Sequence, residues 1–142
     1  MKIIIVAILV VSALFAGCLS SEKNTPVNKN VILDIEPSNI IVKNGEVKQI
    51  KIRVNNSGDS NIDAVVRFKI NDSDRPYLNF TPGSYSTGIL RSGEDSGRRN
   101  VDIRAYLPAG SNITYPVIVE AVDNNKGVVI DSKDLTITVG RN

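Results

Sequence analysis

Cys18 is the only cysteine in this 142-residue chain, and there is no histidine. Without histidine there is no Ser–His or Cys–His nucleophile pair, and the commonest general base near neutral pH is missing. A single cysteine forms no intramolecular disulfide, so a folded domain must be stable through its own core. If Cys18 is consumed by modification, no thiol is left for catalysis or metal binding. Carboxylates occur in pairs, Asp72 with Asp74 and Glu94 with Asp95. Both pairs sit in turn-like sequence, where such side chains bond to nearby backbone. Asn71-Asp72-Ser73-Asp74, and Asp59 with Asp63, gather oxygen ligands of the kind Ca²⁺ uses. Neither matches a full calcium loop, which supplies about six to eight oxygens around a tight turn. The reading is therefore of a protein that is not an enzyme, with no catalytic residue, no metal site and no cofactor. Four Asn-x-Ser/Thr sequons, at Asn55, Asn71, Asn79 and Asn112, are candidate glycan acceptors at strand ends or turns. Unmodified, they are polar turn residues.

The surroundings of Cys18 are informative. Met1-Lys2 is a minimal positive segment, and Ile3 to Ala16 follow with Ser12 the only interruption. As a helix this run reaches ~21 Å, short of the ~30 Å hydrocarbon core, so its length favours a signal-peptide core over a permanent span. Continued through Leu19 it would reach ~25 Å, which leaves an uncleaved anchor as the alternative. Leu14-Phe15-Ala16-Gly17-Cys18 resembles the lipobox of bacterial and archaeal lipoproteins. Ala16 and Gly17 match that family's small residues, and Phe15 stands where Leu is usual. The resemblance implies a lipoprotein signal peptide over residues 1–17 and lipidation of Cys18 as the first mature residue. It also implies the membrane as a partner and a location on the outer face of the cytoplasmic membrane. Two acyl chains suffice for stable anchoring, where one is marginal.

Composition then shifts. Residues 18–30, ending Pro26-Val27-Asn28-Lys29-Asn30, are polar and read as a flexible tether. Formal net charge is +2, and setting aside Lys2 leaves 17 − 1 = 16 basic against 15 acidic side chains. So even a balance gives no electrostatic reason for a nucleic-acid partner.

From Val31 the apolar period is two. It runs through Val31-Leu33-Ile35, Ile40-Val42, Ile50-Ile52-Val54 and Ile62-Ala64-Val66-Phe68-Ile70. It resumes in Val101-Ile103-Ala105-Leu107, Tyr115-Val117-Val119-Ala121, Val128 to Ile130 and Leu135-Ile137-Val139. Turn signals fall between, among them Asn44-Gly45 and Asn124-Asn125-Lys126-Gly127. The expected fold is all-β: one immunoglobulin-like antiparallel β-sandwich of seven or eight strands over residues 31–142, preceded by the signal helix. Ile50-Lys51-Ile52-Arg53-Val54-Asn55-Asn56-Ser57-Gly58 and Tyr115-Pro116-Val117-Ile118-Val119-Glu120-Ala121 resemble strands of CARDB and NEW3-type surface modules. That resemblance implies a spacer, adhesion or assembly module and carries no catalytic residue.

Two roles follow. One is a structural or interaction module for an envelope protein or glycan, with the charged loop Arg91 to Arg99 as its contact region or simply a solvated loop. The other is a small ligand-binding lipoprotein for carbohydrate or peptide, accessory to a transporter or envelope enzyme. There Tyr77, Phe80 and Tyr85 would form a sugar platform, unless they pack in the core.

Overall fold

A computed structural model of the chain describes residues 30–110 and 112–140. The expected signal peptide, Cys18 and the expected tether up to residue 29 lie outside the described residues. Nine strands form in chain order: β1 (Val31–Glu36), β2 (Asn39–Lys43), β3 (Val47–Asn56), β4 (Ile62–Ile70), β5 (Leu78–Thr81), β6 (Ser84–Leu90), β7 (Arg99–Ala105), β8 (Ile113–Asp123) and β9 (Val129–Gly140). A 3-10 turn, Arg75–Tyr77, precedes β5. The sheets have the orders β1-β3-β7-β5 and β2-β9-β8-β4-β6. Alternate residues of each sheet meet in one core, including Leu33, Ile50, Ile52 and Ile103 from the first and Val66, Val117, Leu135 and Ile137 from the second.

The all-β sandwich expected from the pattern is present, with nine strands among the described residues rather than seven or eight. It is also not purely antiparallel, because β2 runs parallel to β9. Both differences have one cause: the chain changes sheet in mid-course, twice. β1 pairs with β3 in the first sheet, and after Pro37 the chain continues in the same direction as β2 in the second. On the opposite flank β5 pairs with β7, and after Pro82 the chain continues as β6 beside β4. Proline has no N–H for the ladder, so it sits where one pairing ends and another begins. Each flank is thereby shared between the two sheets.

The apolar segments Val128 to Ile130 and Leu135 to Val139 belong to one continuous strand, β9. Asp131-Ser132-Lys133-Asp134 interrupts the alternation because β2 covers only the later half of β9 on that side. There Asp131 does the work of a missing strand: its carboxylate accepts the Leu33 N–H of β1 at 2.7 Å and the Ser132 N–H at 2.8 Å.

Turn chemistry follows the sequence. Gly127 takes φ 69° in the β8–β9 turn, and Asp123 accepts the Asn125 and Lys126 N–H groups at 2.9 and 3.1 Å. Gly45 takes φ 77°, and a Cβ there would lie 3.4 Å from the Tyr106 ring. Where β7 passes to β8, buried Tyr115 donates its hydroxyl to the Tyr106 carbonyl at 2.7 Å. This is the tyrosine-corner arrangement of immunoglobulin-like sandwiches, at the equivalent connection.

Candidate functional site

The loop between β6 and β7 is fixed to the end of β3. The inward positions of β3 run Ile50, Ile52, Val54, Asn56, so a polar side chain occupies the last core position. Asn56 has no exposed surface. Its Nδ2 donates to the carbonyls of Ser60, Leu90 and Arg91 at 2.8, 3.0 and 3.1 Å, and its Oδ1 accepts the Gly58 N–H at 3.1 Å. Its backbone N–H donates to Glu94, and its carbonyl accepts from Gly93. Ser96 closes the next rung, donating its N–H to the Val54 carbonyl and accepting the Val54 N–H on Oγ at 3.0 Å. The Glu94 and Asp95 carboxylates accept loop N–H groups, of Arg91 at 2.8 Å and Gly97 at 2.7 Å. The sequence gives no sign of this clamp beyond an Asn where the alternation calls for an apolar residue.

The outward face of the first sheet is charged. Arg53 donates to Asp34 of β1 at 2.7 Å and lies 3.9 Å from Asp95 of the loop, and Arg98 pairs with Glu36 at 3.2 Å. The hydrogen bond to Asp34, with its charge, raises the pKa of Arg53 and keeps it protonated. Asp34, Glu36, Lys51, Arg53 and Arg98 line an open cleft of ≈ 250 Å³. Gln49 bonds Asp102 further along the same face at 2.8 Å. The outward face of β2, β9 and β8 is different in kind, carrying Ile41, Thr114, Pro116, Ile118, Thr136 and Thr138. Toward β4, Arg67 Nε donates to Glu120 at 2.7 Å, and Lys69 and Asp134 flank Ile118.

The oxygen clusters are spent locally. Asp72 pairs with Arg75 at 2.9 Å, and Asp74 accepts from Asn71 and Ser73. Asp63 accepts from Ser86 and Asn124. Asp59 stands exposed in the β3–β4 connection. The aromatic residues do not form a platform. Phe80 and Tyr85 are buried, Tyr77 packs against the core, and Phe80 stacks on Phe68 with centroids 4.2 Å apart. Arg99 lies over the Tyr85 ring at 4.7 Å.

Tyr85 is a measurable exception in this core. Its hydroxyl has no hydrogen-bond partner among the described residues. Burial pushes its pKa up to about 12, against a smaller opposing effect of Arg99. A phenol that ionises later in the folded state contributes stability fully present below pH ~10 and lost as pH rises from there toward 12. Tyr85→Phe is expected to shallow that alkaline loss, and at pH 7 to keep or raise stability by up to about 1 kcal/mol. Denaturation midpoints at pH 8 and pH 11 check this, and parallel slopes for the two proteins would refute it.

No known family model matches the chain, and no curated protein matches it by sequence. Solved structures do resemble it. An Escherichia coli alpha-2-macroglobulin fragment, from domain MG7 to the C-terminus, is 14% identical with a TM-score of 0.56, over 82% of this chain and 17% of that one. AvmM, which catalyses macrocyclization in alchivemycin A biosynthesis, is 11% identical with a TM-score of 0.53, over 81% and 91%. The ASH/PapD-like domain 7 of human CEP192 is 13% identical with a TM-score of 0.47, over 99% and 98%. At such identities the likeness to the first two is one of fold alone.

Proposed function

We propose that this chain is a surface lipoprotein, held by lipid on Cys18 to the outer face of the cytoplasmic membrane. Its sandwich is a structural or interaction module that meets an envelope protein or glycan. One observation carries the reading of the body. The chain comes in at Val31, beside Asn56, and β9 leaves at the opposite end, where Gly140 lies beside Lys43. A tether joined to Val31 therefore holds one end of the sandwich toward the membrane and directs the other outward. The two sheet faces offer different chemistry: a charged cleft of Asp34, Glu36, Lys51, Arg53 and Arg98 on one, and threonine and isoleucine beside the Arg67–Glu120 pair on the other. The lipobox resemblance of residues 14–18 supports the anchor. The reading includes no catalytic step.

The anchor is tested by Cys18→Ser in the full-length chain. The protein is expected to move from the membrane to the soluble fraction, or to accumulate unprocessed. Undiminished membrane retention with the leader intact would overturn the lipid anchor in favour of a transmembrane one. Saturable binding of a specific sugar by the detergent-solubilised protein on a glycan array would overturn a purely structural role and make the partner a glycan.

A further inference from the structure

The four sequons are equivalent as motifs, and the fold separates them. Asn71 opens the turn between β4 and the 3-10 segment, Asn79 lies in β5, and Asn112 immediately precedes β8. All three belong to the half of the sandwich where β9 ends. Tyr106, after β7, donates its N–H to Tyr77 before β5, and Leu107 donates to Asn44 Oδ1, whose own N–H donates to Gly140. Asn112 Oδ1 lies 3.9 Å from where a Cβ on Gly140 would be. Asn55 is at the other end, opposite Ile32 of β1 and one residue from the partner of Val31.

Presentation differs in the same way. A transferase must reach the Asn carboxamide and the hydroxyl two residues later together. On a strand those two side chains share a face. Asn79 and Thr81 are both exposed on β5, an edge strand whose only ladder partner is β7. Asn112 and Thr114 are both exposed, as are Asn71 and Ser73 in their turn, and the bonds of Thr114 to Thr138 and of Asn71 and Ser73 to Asp74 lie at the exposed surface, so exposure rather than hydrogen bonding separates them from Asn55. Asn55 is half-buried, flanked by β1 on one side and bridged to Asp95 of the clamped loop on the other. Its hydroxyl partner Ser57 donates Oγ–H to the Asn30 carbonyl at 2.8 Å.

We infer that Asn71, Asn79 and Asn112 carry N-linked glycans and Asn55 does not, so that the sugars crown the end of the sandwich away from the tether. The donor is an oligosaccharide linked to a polyisoprenyl phosphate. Asn Nδ2 forms the new bond to C1 of the first sugar, and the C1–O bond to the lipid phosphate breaks. The phosphate departs with the electron pair, and the amide proton passes to the transferase. No oxidation or reduction is involved. The inference rests on the extracytoplasmic part of the reading above.

The test is the intact mass of the full-length protein purified from its native membranes, compared with single variants. Asn71→Gln, Asn79→Gln and Asn112→Gln are each expected to remove the mass of one glycan, and Asn55→Gln none. Loss of a glycan in Asn55→Gln would overturn the assignment. So would a wild-type mass equal to polypeptide plus the Cys18 lipid alone, a result that leaves the anchor standing. Glycans on a protein without lipid would overturn the anchor and leave this inference intact.

Discussion

Asn56→Ala is expected to lower the stability of the sandwich by roughly 3 kcal/mol, since each buried polar group left unpaired costs about 1–3 kcal/mol. The Asn56 amide serves three carbonyls, of Ser60, Leu90 and Arg91, and its oxygen serves the Gly58 N–H. Alanine retains the backbone bonds to Gly93 and Glu94 and loses all of these. For a domain of this size the loss corresponds to a Tm lowered by roughly 10 °C or more. Asn56→Asp keeps the shape but turns a carboxylate toward carbonyl oxygens, so its loss should exceed that of alanine. The adjacent Asn55→Ala, which removes only a half-buried side chain, should stay within about 1 kcal/mol of the parent. A second readout is local. Trypsin should cut at Arg91 and Arg98 in the Asn56 variants well before it cuts the parent, because the loop has lost its clamp. Equal stability and equal proteolysis for Asn56→Ala and Asn55→Ala would refute the clamp.

The same residue marks how far the sequence could be read. Period-two alternation located β1 to β4 and β7 to β9, though not β5 and β6, because each of those has one dry and one wet face and the sequence records that division directly. It could not say which strands share a sheet, since pairing is a non-local fact. Val31 to Ile35 and Ile40 to Val42 look alike in sequence, yet they lie in different sheets on either side of Pro37. Asp131 to Asp134 looks like a loop because that stretch of β9 borders the gap where β1 has left the sheet. Asn56 looks like the start of a turn, and Asn55-Asn56-Ser57-Gly58 suggests exposure throughout. Only the closing of loop Leu90 to Glu94 over the end of β3 makes Asn56 a core residue. Sequons are legible as motifs, but their division between the two ends depends on strand direction, and strand direction follows from pairing. Tyr77, Phe80 and Tyr85 show the converse. Aromatic residues near one another in sequence are as consistent with a platform as with a core, and here the two sheets close over them.

The second large effect is expected at Arg67 and Glu120, which face each other across β4 and β8. The Glu120 side chain is only 8% exposed and that of Arg67 51%. The pair is therefore asymmetric: the carboxylate has lost most of its water, and the guanidinium has not. Removing Arg67 leaves the desolvated partner behind. Breaking a fully buried pair costs about 3–5 kcal/mol, and the half-exposed guanidinium reduces that to roughly 2 kcal/mol for Arg67→Met. Replacing both residues, as Arg67→Met with Glu120→Leu, removes the stranded charge as well, so the double variant should return to within about 1 kcal/mol of the parent. A double-mutant cycle in chemical denaturation measures this coupling, and simple additivity of the two single losses would refute it. High salt should weaken the parent's coupling only partly, because one partner is shielded from solvent. The double variant also tests what the pair does for the surface. Ile118 and Pro116 lie along the same strand, and Ile41 is 77% exposed on β2. Leu in place of Glu120 would extend the run of Pro116 and Ile118 along β8, with Met in place of Arg67 beside it, while Ile41 lies apart beside Thr138, and longer exposed apolar runs promote association. Concentration-dependent dimerisation of the double variant, with stability near that of the parent, is the expected outcome.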